Sequence, residues 1–138
     1  DIVFRWEDAL SFEGDTGPYL QYTHARFQSI LRKADEEGIL QAKAHPASKL
    51  DSLEHRLAAT VLCFSEAIED ALSNYMPNIL ANYLYRLAGL ANEFYHSHPV
   101  LKEQDAVKLS FRITLARAIS QTLKNGLYLL GIDAPNKM

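Results

Sequence analysis

Residues 11–26 read SFEGDTGPYLQYTHAR, a turn-like composition followed directly by the start of a helical pattern. Two glycines in the turn permit backbone angles that other residues avoid, and Asp15 and Thr16 are both N-cap residue types. Pro18 suits the first position of a helix, where its missing N–H costs no hydrogen bond. The stretch therefore predicts a helix that begins at about residue 17.

The predicted helix has two distinct faces. Tyr19, Tyr22 and Arg26 recur at i, i+3 and i+7, so they share one side of a helix with 3.6 residues per turn. A neighbouring face is apolar and carries Leu20, Phe27, Leu31 and Ala34. Gly38 can adopt the left-handed backbone conformation that commonly ends a helix. We expect the apolar face to enter a core and the tyrosine–arginine face to stay outside it.

A second amphipathic pattern follows a break in periodicity at residues 39–49, which contain Pro46 and are predicted to form a loop. Asp51 with Glu54 three residues later resembles a capping box. Apolar residues then recur every three or four positions, which predicts one helix of about six turns. Its apolar face would carry Leu53, Leu57, Val61, Phe64, Ile68, Leu72 and Tyr75.

Two more long helices complete the predicted bundle. Pro77 starts a helix whose apolar residues are Leu80, Leu84, Leu87, Ala91 and Phe94. The last helix would begin near Gln104 and close at Asn125-Gly126, with the apolar tail after it folding back onto the bundle. With no credible strand, the pattern predicts an all-α fold, a helical bundle of about four long helices plus short terminal elements.

Composition limits the class of protein. The chain has 138 residues, of which 48% are hydrophobic and 22% charged, as expected for one globular domain with its own core. No apolar run approaches the ~20 residues of a membrane helix, and no signal peptide is visible. A single cysteine, Cys63, favours a reducing, cytoplasmic compartment. Because the chain opens on Asp1 without a methionine, we expect it to be a piece of a longer protein.

The formal net charge of −3 argues against a strongly basic nucleic-acid coat. A polyanion is steered by the local potential rather than by the summed charge of a protein. Any contact with RNA would therefore require a local cationic patch.

Three stretches of the sequence resemble the C-terminal, DALR-type anticodon-binding domain of class I arginyl-tRNA synthetases. GDTGPYLQYTHAR (14–26) is similar to the segment that leads from their catalytic domain into the helical domain. NILANYLYRLAGLANEFYHSHPVL (78–101) and SQTLKNGLYLLGIDAPNKM (120–138) are similar to the helices and tail that end these enzymes. The resemblance covers residues 3–37 and 75–138, whereas 39–74 match in pattern only.

The resemblance implies both a function and a domain organisation. Residues 1–16 would be a junction from the preceding catalytic domain, and 17–138 the domain that recognises the anticodon loop of arginine tRNA. The whole enzyme would attach arginine to its tRNA using ATP, and the partners would be that tRNA and the catalytic domain, with neither DNA nor a membrane. No HIGH-like ATP-binding signature occurs in these 138 residues. We therefore expect the chain alone to be inactive in aminoacylation and to need no cofactor.

The resemblance also implies candidate RNA-binding residues. Tyr95 would stack on an anticodon-loop base, Met138 would pack against the same loop, and Tyr22 and Arg26 would lie near the same surface. A flat ring suits this task because stacking on an unpaired base contributes roughly 1–3 kcal/mol. From the residues alone, Tyr95 and Tyr22 would more often be packing residues, and Met138 an ordinary frayed terminus.

Further candidates lie on the last predicted helix. Arg117, Gln121 and Lys124 share one face, with Asn125 just beyond them. They could contact phosphates, which would fix the register of an RNA without reading its sequence, or form an ordinary solvated stripe.

No pattern in the sequence indicates a catalytic or metal site. His96 and His98 lack a third ligand at a suitable spacing, and no Ser/His/Asp grouping, phosphate loop or paired-carboxylate motif occurs. The rival interpretation is a helical protein–protein interaction module with no RNA role, which would suit the acidic net charge equally well.

Overall fold

Helices are the regular elements of the computed structural model, which describes residues 5–11, 14, 16–39 and 49–138. The helices are α1 (Trp6–Ala9), α2 (Gly17–Glu36), α3 (Ser52–Leu62), α4 (Phe64–Ser73), α5 (Pro77–Ser97) and α6 (Ala106–Leu129), with a 3₁₀ turn at Val100–Lys102. The described ranges contain no strand, and the predicted all-α class is confirmed. Most of the loop predicted at 39–49 lies outside the described residues. In the same ranges, no helix combines the length and apolar character needed to cross a bilayer.

The start and end of α2 follow the sequence signals. The Thr16 side chain caps the helix by accepting a hydrogen bond from the Tyr19 backbone N–H at 3.2 Å. The same hydroxyl donates to the Ser11 carbonyl, which fastens the preceding turn to the helix. Gly38 follows the helix with φ +70°, a conformation that side chains disfavour. Both ends of this helix were therefore predicted correctly.

The apolar stripe of α5 forms the centre of the bundle. Its five predicted core residues are all buried: Leu80, Leu84, Leu87, Ala91 and Phe94. Helices α2, α3, α4 and α6 all pack against α5, and α2 also lies along α6. From α2 the core receives Leu20, Phe27 and Ala34, with Leu31 partly buried beside them. The prediction that the tyrosine–arginine face of α2 stays outside the core is confirmed for Tyr22, which is 39% exposed. It is wrong for Tyr19, which is partly buried against the core.

The single six-turn helix predicted from Asp51 is wrong, because the chain turns at Cys63 and divides it into α3 and α4. The capping box of Asp51 and Glu54 is present. Cys63 has φ −78° and ψ 7°, so α4 continues in a different direction from α3. An apolar period of three to four survives such a bend, so the sequence pattern does not reveal it. Of the predicted apolar face, Leu72 is 69% exposed, and Tyr75 lies beyond α4 with φ 55° and is 93% exposed.

The predicted end of the last helix is also wrong, since α6 continues beyond Asn125-Gly126 to Leu129. Gly131, with φ +73°, follows the true end. Gly126 serves close packing instead: a Cβ there would lie 2.5 Å and 2.8 Å from the two δ-carbons of Leu84. The absent side chain therefore allows α6 to approach α5. After α6, Ile132 and Ala134 pack against the core, so the tail folds back as expected.

A buried ion-pair network joins α6 to α3 and to the loop before α6. The Arg112 guanidinium donates through Nε to Glu54 and through Nη1 to Glu103, both at 2.7 Å. Arg112 and Glu54 are both buried. The Asp105 backbone N–H, and after it the Arg112 guanidinium, lower the pKa of Glu103. Because each buried charge has a partner, the network fixes the register of α6 against α3.

Trp6, in α1, is 68% exposed and is not a core anchor. Packing of its ring into the buried core of the domain is therefore excluded.

The crossing of α5 and α6 gives a testable contrast between two helical glycines. Gly126→Ala should lower the free energy of unfolding by about 1 kcal/mol, because overpacking against buried Leu84 exceeds the gain in helix propensity. Gly89→Ala is the matched control: Gly89 is exposed on α5, and its added Cβ would meet nothing within 4 Å. It should raise the stability by about 0.5–1 kcal/mol. Urea unfolding of both variants measures the difference, and equal gains would contradict the proposed crossing.

Candidate functional site

A cavity of about 590 Å³ opens between the outer face of α2, the end of α5 and the C-terminal tail. Four of the predicted site residues line it together: Tyr22, Arg26, Tyr95 and Met138. They come from three separate segments of the chain, so only folding brings them to one place.

The cavity is strongly cationic. Five basic side chains line it, namely Arg26, Arg32, Lys33, Lys102 and Lys137, and no Asp or Glu side chain is found among its described lining residues. The chain as a whole has a formal net charge of −3. The site is thus a local positive region on an acidic protein, and such a concave region focuses the field that attracts anions.

Arg26 lies against two tyrosine rings. Its guanidinium carbon is 4.7 Å from the centroid of the Tyr22 ring and 4.5 Å from that of the Tyr95 ring. Each of these cation–π contacts contributes ~0.5–1 kcal/mol at a partly exposed site. The guanidinium also donates through Nη1 to the side-chain amide oxygen of Asn92, Oδ1, at 2.7 Å. Helices α2 and α5 are therefore joined at the cavity by one cation held against two aromatic rings.

The position of Tyr95 follows from the core register of α5. Phe94 is fully buried, so the next residue points about 100° away from the core stripe. Tyr95 is 39% exposed, as is Tyr22, and neither ring is sealed in the interior. The imidazole of His96 meets the Tyr95 ring edge-on with centroids 5.4 Å apart. The Tyr95 ring is thus held by contacts with Arg26 and His96 and is still accessible from the cavity.

The tail after α6 is held along α2, which carries Met138 to the cavity. The Gln21 side-chain amide donates to the Asp133 carbonyl oxygen at 2.8 Å. Met138 is 56% exposed, while Asn136 and Lys137 line the same cavity.

The remaining predicted residues, Arg117, Lys124 and Asn125, do not line this cavity, although all three are exposed. Asn125 accepts a hydrogen bond from the Gln121 amide at 2.7 Å. Lys124 lines a separate hollow of about 430 Å³.

Sequence reasoning missed most of the cations that surround the cavity: Arg32, Lys33, Lys102 and Lys137. Lys33 could have been predicted from the sequence, because Tyr22, Arg26 and Lys33 lie at i, i+4 and i+11 and so share one helical face. Lys102 and Lys137 come from distant segments, and no local pattern connects them to α2.

One buried titratable group lies directly behind the site. His24, on α2, is fully buried, and its Nδ1 carries the proton because it donates to the Ser120 carbonyl at 3.0 Å. Burial lowers the pKa of His24, which the Ser120 carbonyl and the Asn136 side chain oppose only in part. The ring is therefore neutral in the folded protein near pH 7 and joins α2 to α6.

A second cluster has the atom types of a metal site but is fully engaged in hydrogen bonds. Ligand-type atoms of Asp51, Glu54 and His98 lie within 4.8 Å of one another. Asp51 accepts from two backbone N–H groups and from His98 Nε2, while Glu54 accepts from Arg112 and from the Asp51 N–H. Burial raises the pKa of Asp51, but these donors together lower it more. Every carboxylate oxygen thus has a partner, and the cluster connects the end of α5 to the start of α3.

The fold and the cavity agree with what comparison to known proteins finds. A sequence model of the DALR anticodon binding domain matches residues 20–138. The chain belongs to this family of helical domains.

The curated relatives are named arginine–tRNA ligases. That of Thermococcus kodakarensis is 47% identical over 143 residues, which cover 99% of this chain and 22% of the relative. That of Mannheimia succiniciproducens is 44% identical over 138 residues, which cover 100% of this chain and 24% of the relative. The chain therefore spans about a quarter of the length of these proteins.

Solved structures give the same result. The arginyl-tRNA synthetase of Thermus thermophilus superposes with a TM-score of 0.86 at 41% identity, covering 98% of this chain and 23% of that one. The enzyme of Plasmodium falciparum superposes with a TM-score of 0.79 at 25% identity, again over 98% of this chain and 23% of that one. The resemblance seen in the sequence and the predicted fold are both confirmed.

The buried histidine predicts a pH dependence of stability. Because the pKa of His24 is lowered in the folded state from 6.5, its contribution is complete above about pH 6.5. It is lost as the pH falls toward the folded-state pKa, with a slope of up to about 1.4 kcal/mol per pH unit. The melting temperature should be measured from about pH 7.5 to about pH 5, a range that includes the ordinary pKa of histidine. Over this range it should fall less steeply for His24→Gln than for the parent chain.

The matched control for this measurement is His55→Gln, since His55 is exposed on α3. It should keep the slope of the parent chain. If His24→Gln keeps that slope as well, His24 is not the titrating group.

Proposed function

We propose that this chain binds the anticodon loop of arginine tRNA as the anticodon-binding domain of an arginine–tRNA ligase. The observation that carries the proposal is the cavity in which Tyr22, Arg26, Tyr95 and Met138 meet, surrounded by cations. Membership of the DALR family and the names of the relatives support it. A cationic cavity with accessible rings favours unpaired nucleotides over a docked protein helix, which would require an apolar groove.

In this proposal the residues of the cavity have different roles in binding the RNA. Tyr95 stacks on an unpaired base, and Met138 packs against the loop from the tail. Arg32, Lys33 and Lys102 contact phosphates, which positions the loop without reading its sequence. Arg117, Lys124 and Asn125 lie outside the cavity, so their proposed role is contact with backbone beyond the loop.

The activity of the whole protein is proposed on the same grounds. It would attach arginine to its tRNA with ATP in the cytoplasm, and the chemistry would take place in a catalytic domain that precedes this chain. Residues 1–16 would form the junction to that domain. Holding the anticodon loop here would direct the distant acceptor end of the tRNA into the catalytic domain.

Titration with RNA tests the function. The chain should bind an arginine anticodon stem-loop at least about tenfold more tightly than a stem-loop with a substituted anticodon. Binding of both should weaken between about 50 and 200 mM salt, because phosphate contacts release counterions. Fluorescence anisotropy measures both effects. Equal affinity for the two stem-loops would favour the interaction module and contradict the proposal.

A tyrosine substitution tests the site. Tyr95→Ala should reduce affinity for the arginine stem-loop by roughly ten- to a hundredfold, since one stacking contact is lost. The melting temperature should change little, because the ring lies outside the core. Tyr75→Ala is the matched control: Tyr75 is 93% exposed and does not line the cavity, so its loss should leave binding unchanged. A collapsed melt for Tyr95→Ala would instead identify Tyr95 as a packing residue.

A further inference from the structure

Asn92 is a polar residue of α5 whose side chain bonds only to α2 in the described contacts. Its amide oxygen accepts from Arg26 Nη1 at 2.7 Å. Its amide nitrogen donates to the Tyr19 hydroxyl and to the Thr23 hydroxyl, each at 3.0 Å. One side chain thus connects three residues on successive turns of α2.

The direction of these bonds is determined by the partners. A guanidinium has only donors, so the amide oxygen must face Arg26 and the amide nitrogen must face the two hydroxyls. The Thr23 hydroxyl donates its own proton to the Tyr19 carbonyl at 2.9 Å, which leaves it as an acceptor toward Asn92. Thr23 is fully buried. The buried Thr23 hydroxyl therefore fixes the orientation of the Asn92 side-chain amide.

The consequence falls on Arg26. An arginine side chain is long and flexible, so it loses rotamer entropy when it is ordered. Lys33 and Arg32 line the same cavity, and their like charges oppose a guanidinium that extends into it. The bond to Asn92 holds Arg26 back against the Tyr22 and Tyr95 rings.

We propose that Asn92 is a positioning residue for the candidate site: it holds Arg26 against Tyr22 and Tyr95, so that the Tyr95 ring is in place before a base stacks on it. The inference rests on the proposed function for its effect on RNA. A receptor that is ordered in advance binds more tightly because less freedom is lost on binding. Asn92 itself need not touch the RNA.

The first test uses the chain without RNA. In nitrogen-15 NMR spectra, the Arg26 guanidinium should show slowed rotation and resolved Nη signals, assigned by their loss in Arg26→Lys. Asn92→Leu has a similar volume but no acceptor, and should remove these signals. Asn92→Asp keeps an acceptor and should retain them, as should Asn82→Ala, a control at an exposed position on the same helix. Resolved signals in Asn92→Leu, or their loss in Asn92→Asp, would overturn the proposal.

The second test uses the arginine stem-loop. Asn92→Leu should weaken binding by about two- to tenfold in the parent chain, but by less than about twofold in the Arg26→Ala background. A purely structural role would produce the same loss in both backgrounds. That result would overturn the proposal even if both variants fold.

The two tests separate the inference from the function. If the parent chain binds matched and substituted stem-loops equally, anticodon recognition fails. The NMR comparison still decides whether Asn92 holds Arg26.

Discussion

Burial of one apolar stripe along α5 is the constraint that the other elements satisfy. Leu84, Leu87, Ala91 and Phe94 in this stripe are completely buried, and each large apolar side chain contributes about 1.5–3 kcal/mol on burial. Four helices pack around α5, so its rotation about its own axis is fixed. The polar residues just beside the stripe, above all Asn92, then point toward α2. The core therefore fixes the side of the cavity that α2 and α5 form, while the segment after α5 and the C-terminal tail line the other side.

The distribution of charge matters more than its sum. Acidic side chains near the cavity are turned to other partners: Glu54 and Glu103 bond to Arg112, and Asp51 bonds to His98. The cations that line the cavity are left to act together on an anion. An acidic chain can therefore present a local positive opening to a polyanion, which favours a defined orientation of approach.

The sequence predicts those features that depend on neighbours along the chain. The α2 stop at Gly38 and the α5 stripe are of this kind. It does not predict the bend at Cys63, because one changed ψ angle leaves the apolar period intact. It also does not distinguish a glycine that ends a helix from one that lets a second helix pack closely, as Gly126 does. The site divides in the same way. Helical spacing predicts that Arg26 lies on the same face as Tyr22, whereas Lys102 reaches the cavity only through tertiary packing.

The bend between α3 and α4 makes stability uneven across the molecule. Ala67 is the only residue of α4 that is buried, Phe64, Ile68 and Ala71 are partly buried against the core, and Leu72 faces solvent. A helix with so little buried surface opens at a lower free energy than the core helices. Its amide hydrogens should therefore exchange with deuterium well before those of α5, in a local opening that leaves the α2–α6 packing closed.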